Sequence, residues 1–430
     1  DLSCFAIPAC YLPAPLHAST LFPGGPTFDT MPVADIKPFT KTGVTCIAFN
    51  ADKSLIAICP NSNKVLIYET NGSVHSTKWN KEPKYVLEEH TETVVGMDWC
   101  PSTNLLVTCA HDRNAYVWKH VTEKKVIKGG NVSYQKEDKW KADLVILRIN
   151  RAATAVKWSP SGAKFAVTSG AKVVPICYYV EEHKWWTCNT IKKHKSTVLD
   201  VAWCPNSKFV VTGATDYKCR IISAFKAELD SSEDDGFGAI FPKQHQFGEV
   251  LAEFTHAKAW VQSVAWSPSS YRLAFTGHGS TIHLVQIVAD GPPVVTTIRA
   301  SGLPYIAVEF LSDKAVVAAG YDQNPHLYVA SDASGAEPEW KFEGNIDKEV
   351  KKKKRALGSF SGARAMFEAK SLRGQASNVS NKKSTVHQNL ISGVLPLENA
   401  TMMTYGLDGI VAFWNMKNQG FDDKSLMAKE

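Results

Sequence analysis

The sequence predicts an all-β chain folded as a seven-bladed β-propeller, and three observations carry that expectation. Bulky residues recur in pairs nineteen apart: Phe49 with Tyr68, Trp99 with Trp118, Trp158 with Cys177, Trp203 with Ile222, Trp266 with Val285 and Leu395 with Trp414. A seventh pair, Phe310 with Tyr328, is eighteen apart. Pro follows the first anchor by two at Pro101, Pro160, Pro205 and Pro268, and Asp precedes the second by six at Asp112, Asp216, Asp322 and Asp408. Between anchors each unit reads as apolar run, polar turn, apolar run, Asp-containing turn, apolar run, which is the pattern of three strands joined by tight turns.

A fourth strand between one second anchor and the next first anchor completes each unit as a WD repeat. The period agrees where no insertion intervenes, since Trp158 to Trp203 is 45 residues and Trp266 to Phe310 is 44, against about 40 to 45 for such repeats. The propeller is expected to span 33–417. After Trp414 too little chain remains for an outer strand, so Val33 to Phe39 is expected to supply it and leave no open edge. Residues 1–32, rich in Pro and Gly, read as an extension without fixed structure in which Met31 is a candidate initiator, and 418–430 reads as a polar tail.

His90, Thr108, Asp112 and Trp118 sit at the spacings of the hydrogen-bonded tetrad of WD repeats, and His194, Thr212 and Asp216 repeat them. A periodic His/Thr/Asp set satisfies buried polar groups and fixes turns, whereas catalysis needs one site. No phosphate loop, nucleophile elbow, zinc-protease motif or dinucleotide fingerprint appears. No enzyme, no cofactor and no metal site is therefore expected.

Anchor spacing locates three insertions. Val121 to Ala142 and Ala227 to His245 read as charged surface loops. The third, 331–389 between the last two blades, carries Lys351, Lys352, Lys353, Lys354 and Arg355 and then an expected short amphipathic helix at 361–372. There Ala363, Met366, Phe367 and Lys370 share one face. So short a helix is marginal alone in water, and it is expected either to lie on its own propeller or to fold onto a partner's groove.

Of 430 residues, 44% are apolar, enough for a well-filled core, and 48 Lys+Arg against 42 Asp+Glu leave +6. That surplus is too small to imply a nucleic-acid partner. No stretch reads as a membrane span or a signal peptide with a basic start, so a cytoplasmic chain is expected. Ten cysteines without C-x-x-C spacing read as reduced core thiols rather than disulfides or zinc ligands.

Specific strings narrow the reading further. Ile56-Ala-Ile-Cys-Pro-Asn61, Asp112-Arg-Asn-Ala-Tyr-Val-Trp118, Leu144-Val-Ile-Leu-Arg-Ile-Asn-Arg-Ala-Ala153, Trp185-Trp186, Ile191-Lys-Lys-His194 with Ser196-Thr-Val198, and Lys218-Cys-Arg-Ile221 together resemble the WD-repeat subunit family of the actin-related protein 2/3 complex, subunit 1. The resemblance covers about Val33 to Lys417. The first thirty residues have no counterpart, and Leu311-Ser-Asp313 stands where Pro is usual after an anchor.

The resemblance implies a non-catalytic subunit of a seven-protein assembly that binds the side of an actin filament and nucleates a branch. It implies contacts with actin-related subunits, with other small subunits, and with the acidic segment of nucleation-promoting factors, ATP being held elsewhere in the assembly. It also implies that Ala363, Arg364, Met366 and Phe367, matching an Ala-Arg-x-x-Phe helix, approach the filament. A generic WD adaptor predicts instead an exposed Arg-rich face for a modified peptide, and an enzyme predicts a constellation in the central channel.

Overall fold

The computed structural model describes residues 33–38, 42–74, 78–128, 131–230, 245–288, 291–331, 338–348, 385–397 and 401–416. The expected extension 1–32, the helix 361–372 with its preceding basic run, and the tail 418–430 lie outside the described residues. So do Cys4 and Cys10.

The first strand among the described residues is β1 (Val33–Pro38). Blade one holds β2 (Cys46–Phe49), β3 (Leu55–Cys59), β4 (Val65–Glu69) and β5 (Tyr85–Leu87). Blade two holds β6 (Val94–Trp99), β7 (Leu106–Ala110), β8 (Ala115–Lys128) and β9 (Asn131–Val145). Blade three holds β10 (Ala153–Trp158), β11 (Lys164–Ser169), β12 (Val174–Val180) and β13 (Trp185–Ile191), and blade four β14 (Val198–Trp203), β15 (Phe209–Ala214), β16 (Cys219–Ser223) and β17 (Val250–Phe254). Blade five holds β18 (Val261–Trp266), β19 (Arg272–Gly277), β20 (Thr281–Gln286) and β21 (Val294–Arg299), and blade six β22 (Tyr305–Ser312), β23 (Ala315–Gly320), β24 (His326–Ala330) and β25 (Trp340–Asn345). Blade seven takes β26 (Ile391–Pro396), β27 (Thr401–Gly406) and β28 (Ile410–Asn415), with β1 as its outer strand in the order β1-β28-β27-β26. These are seven four-stranded antiparallel sheets, a WD-repeat β-propeller. Among the described residues there is no α-helix.

Strand register explains the nineteen-residue spacing. Trp99 lies opposite Leu106 and Leu106 opposite Trp118, so seven residues round the first turn and twelve round the second bring both anchors onto one row. Phe49, Ile56 and Tyr68 repeat it in blade one, and Trp203, Val210 and Ile222 in blade four. In blade six the row is Phe310, Val316 and Tyr328, with a bulge after Phe310. Blade seven departs from expectation: Trp414 lies opposite Met402 and Met402 opposite Pro396, so Pro396 rather than Leu395 is its first anchor. The last two blades share a first turn one residue shorter.

Because each strand alternates its side chains between two faces, every sheet offers an apolar face to both neighbours. The core is accordingly split into seven layers, one per gap. Val107, Cys109 and Val117 of blade two meet Val156, Trp158 and Phe165 of blade three, and Ile47, Ile56 and Ile58 of blade one meet Met403 and Val411 of blade seven across the closing gap. Eight free cysteines are described, seven of them buried in these layers.

Polar side chains on or beside the inner strands stitch blades one to five together in series. Thr45 Oγ1 donates to the Val94 carbonyl at 3.1 Å and Thr154 Oγ1 to the Val198 carbonyl at 2.6 Å. Asp98 accepts from the Trp158 N–H at 2.7 Å, and Asp200 from Ser263 Oγ at 2.7 Å and the Val264 N–H at 3.0 Å.

The insertions differ from the sequence reading. Val121 to Ala142 is no loop: it prolongs β8 and β9 into a long hairpin paired as far as Lys128 opposite Asn131. Its Lys-rich sequence carries no regular apolar alternation, which conceals the strands. The second begins with a turn whose Asp230 is buried against Lys164, which also donates to the Ala224 carbonyl at 2.8 Å. Within 331–389, β25 is the outer strand of blade six, so the inserted span is shorter than the anchor spacing suggested.

Candidate functional site

Each His/Thr/Asp set is built by three pieces of one blade: the loop entering its inner strand, its second strand, and the turn to its third. In blade two His90 Nδ1 lies 2.8 Å from Asp112 Oδ2, His90 Nε2 lies 2.8 Å from Thr108 Oγ1, and the Trp118 indole N–H donates to Thr108 Oγ1 at 2.9 Å. Donors therefore run in one direction, from Trp118 through Thr108 and His90 to Asp112. Burial alone would raise the Asp112 carboxyl. The His90 hydrogen bond and the N–H groups of Asn114 and Thr91 overcome it and hold the group below its usual value.

Blade four is wired differently. His194 Nε2 meets Thr212 Oγ1 at 3.2 Å, but Arg220 stands between His194 and Asp216, at 2.9 Å from His194 Nδ1 and 2.9 Å from Asp216 Oδ2. Arg220 also donates to Glu253 at 2.9 Å. Burial, then the adjoining guanidinium, push the His194 imidazolium down to about 4.

Blade seven holds a complete tetrad that the spacing did not reveal. His387 lies 3.1 Å from Asp408 Oδ2 and 2.8 Å from Thr404 Oγ1, which accepts from the Trp414 indole at 2.8 Å. Its His-to-Thr interval is seventeen, against eighteen in blade two, and His387 fell inside the span read as insertion. The pair Asp408 and Trp414 was the signal that could have found it.

The central channel carries charge that no motif announced. Asp98, Lys157, Asp200 and Glu309 lie on inner strands. Burial opposes charge on Lys157, yet the carboxylates of Asp98, Glu309 and Asp200 hold its ammonium well above the usual value. Burial raises Glu309 to about 7. Beside them a cavity of about 210 Å³ is lined by Asp98, Lys157, Trp99 and Leu395 among others. Asp98 and Asp200 are occupied by the blade-to-blade bonds described above. Among the described residues no group of three His, Cys, Asp or Glu is placed to hold a metal ion, and no helix is long and apolar enough to cross a membrane.

Outside the channel, the face that bears the tetrads is strongly basic over blades three and four. Arg148, Arg151, Lys172, Lys192, Lys193 and Lys195 are exposed there on entry loops and turns. The one carboxylate of those segments, Asp216, is buried and bound to Arg220. Ile146 and Tyr217, both 51% exposed, lie on the same segments.

The WD domain, G-beta repeat model matches residues 81–119, 185–223 and 248–285, which fall on blades one to five. Over 401 residues the chain is 37% identical to actin-related protein 2/3 complex subunit 1B of Arabidopsis thaliana, covering 90% of this chain and 98% of that protein. The chain belongs to the actin-related protein 2/3 complex subunit 1 family. Subunit 1A of Arabidopsis thaliana is 38% identical over 403 residues, with coverage of 90% and 98%, and subunit 1A-B of Xenopus laevis is 34% identical over 383 residues, with coverage of 87% and 94%. Plant, animal and yeast members of the subunit 1 family, the last including Schizosaccharomyces pombe at 32%, thus share the length of this propeller. Their likeness includes blades whose WD signature is degenerate, where the repeat model is silent.

Proposed function

We propose that this chain is the non-catalytic WD-repeat subunit of an actin-related protein 2/3 complex, working in the cytoplasm where branched actin filaments are nucleated from the side of a mother filament. The observation that carries the reading is likeness over 98% of a subunit 1 relative's length, on a ring whose buried His/Thr/Asp sets are spent on turn geometry. Its partners are the actin-related subunits and small subunits of the same seven-protein assembly. The segment with Ala363, Arg364, Met366 and Phe367, preceded by Lys351, Lys352, Lys353, Lys354 and Arg355, contacts the actin filament. The acidic segment of nucleation-promoting factors meets the basic face of blades three and four, where six exposed cations and two exposed apolar side chains favour an anionic peptide with apolar anchors.

Native capture of the tagged chain followed by mass spectrometry tests the assignment. Six further chains, two of them actin-related, are expected in fixed proportion. Recovery of a different stable set of partners overturns it.

A further inference from the structure

Strands β12 and β13 of blade three put two cysteines side by side. Cys177 lies directly opposite Cys188 in the antiparallel ladder, so both side chains leave the sheet on one face, toward blade two, where Cys177 belongs to the apolar layer and Cys188 packs against it. Opposed Cα atoms in such a ladder stand about 4.5 or 5.5 Å apart according to the hydrogen bonding of the pair, and both separations fall within the roughly 4.4–6.8 Å that a disulfide spans. Cys177 is fully buried, whereas Cys188 is the one cysteine among the described residues that is not buried. Burial, then the neighbouring Cys188 thiol, push the Cys177 thiol well above its ordinary value. Blade one offers a comparison, since Cys46 is likewise opposite Cys59, but both of those thiols are buried.

We propose that Cys177 and Cys188 form a site of reversible oxidation by hydroperoxides, closing a disulfide between the two strands. The less buried partner reacts first. The Cys188 thiolate attacks one peroxide oxygen and the O–O bond breaks; Cys188 becomes a sulfenic acid, and the second oxygen leaves as water or an alcohol with the proton that Cys188 gave up. The Cys177 sulfur then attacks the Cys188 sulfur, the S–O bond breaks, and the hydroxyl leaves as water with the Cys177 proton. Two thiols are thereby oxidised to one S–S bond while the peroxide takes up two electrons. A buried thiol held protonated is a poor first nucleophile, but it has only to reach a sulfur already beside it, and this sets the order of the steps. The bridge ties the outer strand β13 to the strand inside it, just ahead of the basic loop with Lys192, Lys193 and Lys195. It does not depend on the function proposed above.

Peptide mapping of the full chain after treatment with hydrogen peroxide tests it. Trypsin separates the pair, leaving Cys177 in 173–184 and Cys188 in 185–192, so the bridge shows as these two peptides joined with the loss of two hydrogens. The joined pair is expected at equal yield across protein concentrations and is removed by dithiothreitol, and alkylation of Cys188 on the folded chain is expected to fall by about fivefold. Cys46 and Cys59 are expected to stay reduced at the same dose. Cys188→Ser should leave Cys177 reduced, and Cys177→Ala should stop the reaction at a Cys188 sulfenic acid that dimedone captures. The first variant changes a partly exposed position, so it remains informative even where the second perturbs folding. Recovery of the two peptides unlinked, joining only above the melting temperature, a bridge from Cys188 to another cysteine, or equal oxidation of Cys46 and Cys59 overturns the inference. A link that grows with protein concentration overturns it in favour of a bridge between two copies.

Discussion

Arg220 Nη1 lies 2.9 Å from His194 Nδ1, so the proton of this imidazole sits on the opposite nitrogen from that of His90, which donates Nδ1–H to Asp112. Arg220 can only donate. His194 must therefore accept at Nδ1 and donate from Nε2 to Thr212, reversing the direction of the chain. The reversal agrees with Ile222, which fills the place of the indole and offers Thr212 no donor.

Asp112→Ala removes the acceptor of His90, of the Thr91 N–H and of the Asn114 N–H. We expect a loss of about 1–3 kcal/mol in urea unfolding, and a similar loss for Asp408→Ala in blade seven. Complex assembly at low temperature should persist. Unchanged midpoints would mean that neither network contributes to the turns.

The folded pKa of His194 lies near 4, below the unfolded value of about 6.5. The unfolded chain therefore binds the proton first on acidification, and the stability this group contributes is complete above pH 6.5 and lost as pH falls toward 4. His283, pushed down to about 4 chiefly by burial, acts in the same window. Glu309, raised to about 7, works in the opposite sense, favouring the fold below its unfolded pKa and losing that contribution as pH rises toward 7. Glu309→Gln should therefore steepen the fall in melting temperature between pH 6.5 and 4, and His194→Gln should flatten it. Parallel profiles for all three proteins would contradict the assignment.

Removing residues 1–32 should leave the thermal midpoint nearly unchanged. Removing 1–40 deletes β1, whose partners run from Trp414 to Ile410, and should cost on the order of 5 kcal/mol from the lost ladder while leaving β28 as an open edge prone to association. Differential scanning calorimetry with light scattering separates the two truncations, and equal behaviour would count against ring closure by this strand.

Phe367→Ala should leave folding and assembly intact and weaken filament-side binding by about 1.5–3 kcal/mol, one or two orders of magnitude in occupancy. Replacing Lys351, Lys352, Lys353, Lys354 and Arg355 by Gln should matter mainly at low salt, because such attraction is screened beyond ~10 Å at 0.1 M. Co-sedimentation across a salt series measures both, and normal binding by Phe367→Ala would remove the segment from the filament contact.

Gln at Lys192, Lys193 and Lys195 should reduce affinity for an acidic peptide severalfold and lower its salt dependence, each exposed cation contributing up to about 1 kcal/mol. Fluorescence anisotropy at three ionic strengths reads this. An undiminished salt slope would place the acidic segment elsewhere.

The anchors were legible because a fixed strand register makes sequence distance equal to spatial alignment. That legibility failed where a turn lost a residue, which moved the blade-seven anchor to Pro396 and hid His387. The tetrad of blade two was readable whole, since its four members lie within one repeat. Arg220 was not, because nothing in Lys218-Cys-Arg-Ile221 says that its guanidinium turns inward between His194 and Asp216. Nor were Asp98, Lys157, Asp200 and Glu309: a charged residue on an inner strand looks solvated until the ring closes around it. The hairpin beyond Lys119 was missed because its Lys-rich strands carry no regular apolar alternation.

The pairing of β1 with β28 also sets a timetable. Val33–Pro38 leaves the ribosome some 370 residues before the strand it pairs with, an interval of roughly 20–75 s at 5–20 residues per second. Throughout it the hydrogen-bonding edge of this segment has no native partner, while six blades can already form behind it. Synthesis thus makes the seam of the ring the last part of the propeller to be joined, and β1 stays open to foreign strands until β28 has emerged.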